Sequence, residues 1–329
     1  MKVGQPRDPR VVAGIVSVLA GTAIVLGKAV AYQATGSSAI LSDAFEGLTN
    51  VVAASFSLGA ILFSREPPDR EHPYGHGKIE HLSAVFEGGL IAIAAILTAA
   101  YAARDLWLGP EVAALDFGLA LTVATGTANA LLGAFLIRTG QTHGSVALIA
   151  DGRHVLADFK TTIGVLVGLG IVRLTGFTAA DPIAAMLVAV NLAVTGYRLV
   201  REGAGALLDE IDPSLLGRIV DVFSTSRRPG LIRLHHLRAI RAGSVTHIDA
   251  HLIVPEFWSV EDAHGRANAL EKRLLEEAAI DGDVALHIDP CERHYCAECD
   301  LEDCAVREAE FQGLRPLTLQ EATDDAAPS

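Results

Sequence analysis

Aromatic side chains are scarce in this 329-residue chain. Phe, Tyr and Trp together make up 5% of it, although half of all residues are hydrophobic and the mean hydropathy is +0.36. Apolar content this aliphatic and small is unlike that of a typical soluble core and points to a membrane protein. A surplus of positive charge is also lacking: the net charge is −13. From Gly203 onward 24 acidic residues face 12 basic ones, so the acidity sits at the C-terminal end and the preceding part is near neutral. Nucleic acid and anionic lipid are thereby excluded as ligands of that end, whereas collection of cations, or plain solubility, suits it. Cysteine does not occur before residue 291. No apolar stretch carries His-Glu-x-x-His, which removes the zincin type of membrane metalloenzyme.

Runs of about 20 apolar residues with few charges number about six: Val11 to Ala34, Ser38 to Ser64, Leu82 to Ala103, Ala114 to Ile137, Val146 to Val172 and Ala180 to Leu199. The first is too long for a signal-peptide core and is read as a retained span. Six spans place both termini on one side. Lys2, Arg7, Arg10, Arg65, Arg70, Lys78, Arg138, Arg198 and Arg201 fall on the termini and even-numbered loops, against Arg104 and Arg173 opposite, so the positive-inside rule makes both termini cytoplasmic.

After the sixth run the pattern turns mixed, and a small α+β unit is expected. It reads as a helix (Ser214 to Ser224), strands (Ile232 to Ile240 and Val245 to Val254), an amphipathic helix (Val260 to Ala278) and a strand (Val284 to Ile288). The division is a tail over 1–10, a six-span domain over 11–202, an αββαβ, ferredoxin-like domain over 203–295 and a cysteine-containing tail over 296–329, mobile past about Cys304.

One internal echo stands out. Asp43, Glu46 and Asn50 in the second run have the spacing i, i+3, i+7, and Asp151, His154 and Asp158 in the fifth repeat it. Each set lines one helical face, as two helices confronting each other across one intramembrane site would require. Ionisable groups are costly in hydrocarbon and mark function by default. Glu46, Asn50, His154 and Asp158 offer three oxygen ligands and one imidazole, enough for a tetrahedral metal site closed by protein alone; interhelical hydrogen bonds are the plainer alternative. Asp43 and Asp151 are read as supporting partners or caps.

Three further clusters follow. In the loop after the second run Asp69, His72 and His76 stand among Gly and Pro, and fit either a surface metal site or a polar turn. His247, Asp249 and His251 alternate along one strand, His287 and Asp289 along another, and His235 with His236 opens a third, which favours a metal site over lone surface histidines. Cys291, Cys296, Cys299 and Cys304 have the spacing x4, x2, x4; zinc, an iron–sulfur cluster or free thiols all suit it on a reducing, cytoplasmic side.

Taken together, the ordered motifs resemble the cation diffusion facilitators: Ser42-Asp43-Ala44-Phe45-Glu46 to Asn50, His72-Pro73-Tyr74-Gly75-His76-Gly77-Lys78, Asp151 to Asp158, and His287-Ile288-Asp289-Pro290. The likeness runs from about residue 11 to 291. It implies a Y-shaped homodimer in the lipid bilayer of the inner membrane that exports a divalent metal in exchange for protons. It places a transport site on Glu46, Asn50, His154 and Asp158, a loop site on Asp69, His72 and His76, and terminal-domain sites on His235, His251, His264, His287 and Asp289. Zinc members of the family usually carry His or Asp, then Asp, where this chain has Glu46 and Asn50. Oxygen-rich ligation shifts preference toward Mn2+ or Fe2+, with Zn2+ and Co2+ still open. The expected mechanism is alternating access by a secondary transporter, not an enzyme; a membrane-bound metal or redox sensor built around the cysteines is the alternative.

Overall fold

Six helices of 26 to 30 residues fill the first part of the computed structural model: α1 (Pro9–Thr35), α2 (Ser38–Phe63), α3 (Ile79–Leu108), α4 (Asp116–His143), α5 (Val146–Thr175) and α6 (Ala180–Leu207). The structure describes residues 8–35, 38–108, 116–177, 179–210, 212–243 and 245–324; within its helices the side chains of 31, 32, 34, 35, 38–46, 116–122, 165, 168, 169, 172, 173 and 181 lie outside the description. At about 1.5 Å per residue each helix is long enough to cross a hydrocarbon layer of roughly 30 Å. Among the described residues Pro9–Val30, Ile79–Leu108 and Pro182–Leu207 meet both the length and the composition of a span.

The polarity of the bundle is inverted. Leu19, Leu26, Val30, Ile96, Leu131 and Leu187 point outward and are more than half exposed, while Ser17, Lys28, Ser57, Glu87, Asp151 and His154 are buried among alanines. An apolar coat around a polar interior is stable in lipid and costly in water. Small residues let the helices close to backbone contact. A Cβ on Gly88 would lie 2.9 Å from the Val200 amide of α6, and one on Gly152 2.9 Å from the Gly133 carbonyl of α4. Glu80, buried in the first turn of α3, accepts from Ser64 Oγ (2.9 Å) and Ser145 Oγ (2.7 Å) and faces Arg10 at 3.7 Å. One buried carboxylate therefore ties the starts of α1, α3 and α5 to the end of α2.

The chain divides after Leu208 into a second unit. It comprises α7 (Pro213–Ser226), β1 (Arg233–Ala242), β2 (Val245–Val254), α8 (Val260–Glu277) and β3 (Gly282–Pro290), the αββαβ order expected. Asp212 caps α7 and Ser259 caps α8 through their side chains. The strands lie in the order β1-β2-β3, the first pair antiparallel and the second parallel. Period-two burial sends Ile248, Ala250 and Leu252 of β2 to one face, where they meet Ile219 and Phe223 of α7 and Leu270 and Leu274 of α8. His247, Asp249 and His251 take the other face.

The segment past Cys304 differs from the expected mobile tail. Residues 319–323 form a last short helix, α9 (Leu319–Thr323), opened by a capping box between Thr318 and Glu321. Leu317 and Ala322 join the domain core, Asp324 accepts from the His236 amide of β1, and the fully buried Arg233 donates to the Arg315 carbonyl at 2.8 Å. Two apolar side chains and a cap secure a stretch too short to show periodicity.

Candidate metal centres

Three polar residues of the echo meet inside the helical bundle. The Asn50 amide of α2 donates to Asp158 Oδ2 of α5, and its Oδ1 lies 3.0 Å from His154 Nε2. Both ends of the amide are thus engaged by the pair that sits one turn apart on the facing helix. Glu46 lies on α2 one turn before Asn50, but its side chain, like that of Asp43, is outside the description. Behind the triad lies a residue that the sequence reading missed. Glu87 of α3 is fully buried, and its Oε2 is 3.5 Å from His154 Nδ1. Asp151, also buried, is hydrogen-bonded to Ser17 of α1. Both Glu87 oxygens, Asp151 Oδ2 and His154 Nδ1 have no hydrogen-bond partner among the described residues. Buried polar atoms left in this state are costly unless water, a proton or an ion satisfies them. A cleft lined by Ser17, Lys28, Gly47 and Asn129 reaches Asn50. Glu87 could have been found as a lone carboxylate inside an apolar run, the same signal that exposed Glu46. The charged residues flanking His154 and Asp158 point elsewhere: Arg153 pairs with Glu202 at 2.9 Å and Lys160 donates to Asn191 at 3.1 Å.

In the loop between α2 and α3, Asp69, His72 and His76 converge, their candidate ligand atoms all within 4.8 Å of one another. Asp69 Oδ1 accepts from the backbone amides of Glu71 (2.9 Å) and His72 (2.6 Å), and Gly75 turns the chain at φ +80°. The His72 amide foremost holds the Asp69 carboxyl below its usual range. His76 Nδ1 faces the Glu66 carbonyl at 3.3 Å and its ring packs on Phe63, so Nε2 is the nitrogen turned to His72 and Asp69.

The terminal domain builds a third cluster on the open face of its sheet. His235 of β1 pairs in register with His251 of β2, and His251 with His287 of β3. Asp289 Oδ2 then lies 2.9 Å from both His235 Nε2 and His251 Nδ1, and its Oδ1 3.3 Å from His287 Nε2. Burial raises the Asp289 pKa, but the two ring N–H donors outweigh it and hold the carboxyl low. A bulge between His235 and Arg238 puts His236 at φ +52°, a left-handed conformation rare outside glycine, and re-aims β1 at this point.

The strand periodicity gathers fewer residues here than expected. His247 sits two positions further from His251 than Asp249 does, and bonds to Asp283 instead, at 2.5 Å; Asp249 is exposed. His264 is on α8, which packs on the opposite sheet face, and contacts Asn268 at 3.1 Å. Cys296 and Cys299 are buried and Cys291 and Cys304 half-buried, all four as free thiols.

Residues 14–208 match the family model of the cation efflux transmembrane domain, and residues 212–291 that of the cation efflux protein cytoplasmic domain. The chain is 35% identical over 289 residues to an uncharacterised transporter of Synechocystis, covering 86% of this chain and 90% of that one. It is 28% identical to the cation-efflux pump FieF of Serratia proteamaculans over 87% of this chain and 95% of the pump. It is likewise 28% identical to metal tolerance protein C1 of Arabidopsis thaliana over 86% of this chain, which spans 63% of that longer protein.

Proposed function

Because this chain belongs to the cation efflux family of membrane transporters, we propose that it exports a divalent transition-metal ion across the inner membrane in exchange for protons. The observation that supports this most is the convergence of Asn50, His154 and Asp158 with the unsatisfied carboxylates Glu87 and Asp151, inside a bundle whose outside is apolar. With Glu46 these three residues form the transport site, and both termini and the terminal domain face the cytoplasm. Residues 11–202 carry transport. Residues 203–295 pair two copies and bind metal at His235, His251, His287 and Asp289, and the loop triad Asp69, His72 and His76 takes metal on the cytoplasmic side.

Metal and protons compete for the same atoms. Without metal, His154 Nε2 carries the hydrogen that Asn50 Oδ1 accepts. Metal taken on Nε2 moves that hydrogen to Nδ1, where it faces Glu87 Oε2, and the protons given up come from the carboxyl groups around the site. Alternating access carries the loaded site outward, and protons returning to His154 and the carboxylates reset it. Exchange of one dication for two protons moves no net charge. Each uncompensated charge costs about 2.3 kcal/mol against a potential of about 100 mV. His264 sits on the far side of its own sheet, so it reaches a cytoplasmic metal only from a second copy.

Uptake of Zn2+, Fe2+, Mn2+ and Co2+ into inside-out vesicles tests the reading. Uphill uptake driven by an acid interior and abolished by a protonophore is expected. Asn50→Asp, which replaces the amide by a charge, is expected to change the ranking of metals. Uptake indifferent to the proton gradient overturns the coupling, and an unaltered ranking overturns the role of Asn50.

A further inference from the structure

One end of the helical bundle is held by a single buried carboxylate. Glu80 is 1% exposed at the start of α3. Its Oε1 accepts from Ser64 Oγ, just past α2, at 2.9 Å, and its Oε2 accepts from Ser145 Oγ at 2.7 Å and the Ala147 amide of α5 at 3.4 Å. Arg10 of α1 faces Oε1 at 3.7 Å. Arg10 in turn pairs with Asp8 at 3.0 Å, and Asp8 with Arg65 at 3.3 Å, so charges of alternating sign run round this rim of the bundle.

Beneath this latch the bundle is apolar and closed. Ala13, Ile61, Leu136, Ala147 and Leu148 are each 0% exposed and pack into one cluster with Val155. His154 follows Ser145 by nine residues, about 13 Å along a helix axis, so the cluster fills the way from the latch to the triad of Asn50, His154 and Asp158. The cleft that does reach Asn50 is lined by no residue of the latch. Among the described residues every side-chain partner of Glu80 lies outside α3. Parting α2 and α5 from α3 therefore hands the carboxylate to water, which satisfies it as fully as the two hydroxyls and the amide do. An apolar seam has no such second state, because opening it only exposes hydrocarbon. A charge satisfied in two arrangements is what a two-state element requires. The loop of Asp69, His72 and His76 leads straight into it: the Ile79 amide donates to the His76 carbonyl at 3.2 Å, and the Glu80 amide to the Gly77 carbonyl at 3.2 Å.

We propose that Glu80 is the closing residue of a cytoplasmic gate: metal passes from the cytoplasm to Asn50, His154 and Asp158 only when Ser64 and Ser145 part from its carboxylate. The inference rests on the transport reading and on its placing of the loop between α2 and α3 at the cytoplasmic face. The structure holds this gate shut.

Two measurements test it on the full-length chain, freed of its native thiols by Cys291→Ser, Cys296→Ser, Cys299→Ser and Cys304→Ser. Ser64→Cys with Ser145→Cys sets a thiol on either side of the Glu80 carboxylate. Joining the two with a short, cleavable bifunctional thiol reagent is expected to stop zinc uptake into inside-out vesicles, and reduction to restore it. Uptake that persists after complete cross-linking overturns the gate and leaves the transport reading standing, whereas absence of zinc uptake by the wild-type chain is a failure of that reading. The second measurement needs no transport. Ala150→Cys lies fully buried on α5 between the latch and His154. A membrane-impermeant maleimide added to the cytoplasmic face is expected to label it about tenfold faster or more once Glu80→Ala removes the latch. A thiol at Ala189→Cys, 2% exposed on α6 nearer the opposite end, is expected to keep its rate. An unchanged rate at Ala150→Cys, or the same acceleration at both positions, which marks general loosening, overturns the proposal.

Discussion

Replacing Glu87 by alanine removes the only carboxylate that faces His154 Nδ1 among the described residues, at 3.5 Å. Nε2 is the nitrogen turned to Asn50, so metal loaded there would leave Nδ1–H pointing at Glu87. A partner that fixes the ring tautomer and raises ligand basicity is worth about 10- to 100-fold in metal affinity, or roughly 1.4 to 2.7 kcal/mol. Because Glu87 is fully buried, water cannot readily substitute for it. Glu87→Ala is therefore expected near the upper end of that range. Glu87→Gln, which keeps an oxygen acceptor and loses the charge, is expected near the lower end. The assay is calorimetric titration of metal into detergent-purified protein in which the cytoplasmic cluster has been removed by His235→Ala and Asp289→Ala, together with the transport KM. Affinity and KM within twofold of the parent for Glu87→Ala would refute the argument that this carboxylate positions His154.

Three other outcomes follow from the geometry. Gly152→Ala sets a Cβ 2.9 Å from the Gly133 carbonyl and 3.0 Å from the Ile137 amide, both backbone atoms that cannot swing aside. It should cost about 1–3 kcal/mol by overpacking and sharply lower transport, whereas Gly170→Ala on the same helix, with open space around it, should do neither; thermal melts and vesicle uptake check this. Asp289→Ala strips the acceptor shared by His235 and His251 and leaves a buried imidazole unpaired, a loss of about 1–3 kcal/mol readable as a lower melting temperature with weaker zinc binding. Asp212 accepts from the Ser214 hydroxyl and from the amides of Ser214 and Leu215, which depress its pKa. A depressed carboxylate stabilises the fold above its unfolded pKa of 3.8 and loses that contribution as pH falls through the folded value. Asp212→Ala should thus cost about 1 kcal/mol near neutral pH, shrinking toward nothing below the folded pKa, as denaturant melts across pH will show.

The six helices and the αββαβ unit were legible because both rest on long, regular patterns: apolar runs in one case, period-two and amphipathic stretches in the other. Helix ends ran a few residues past the apolar runs, as at Ile79 and His143, because polar terminal turns still complete the helix. Pairing across the bundle was legible in part, since the repeated spacing of Asn50 with His154 and Asp158 already put them on facing surfaces. Glu87 escaped because it is the one carboxylate within the apolar run of α3 and its spacing has no echo elsewhere in the chain. His247 and Asp249 were grouped with His251 on a shared face, yet a strand spreads residues by about 3.3 Å each, so only His251 reaches Asp289. The final helix was missed because five residues cannot show a period, although Thr318 and Glu321 already carried the capping-box spacing.

The most direct test of the central claim is metal-dependent proton movement in proteoliposomes, followed with an internal pH indicator, for the wild-type chain and Asp158→Ala. The account predicts that adding the preferred metal moves protons in the opposite direction for the wild type, and that Asp158→Ala abolishes this while still purifying as a folded dimer. Full metal-driven proton exchange by Asp158→Ala would contradict it.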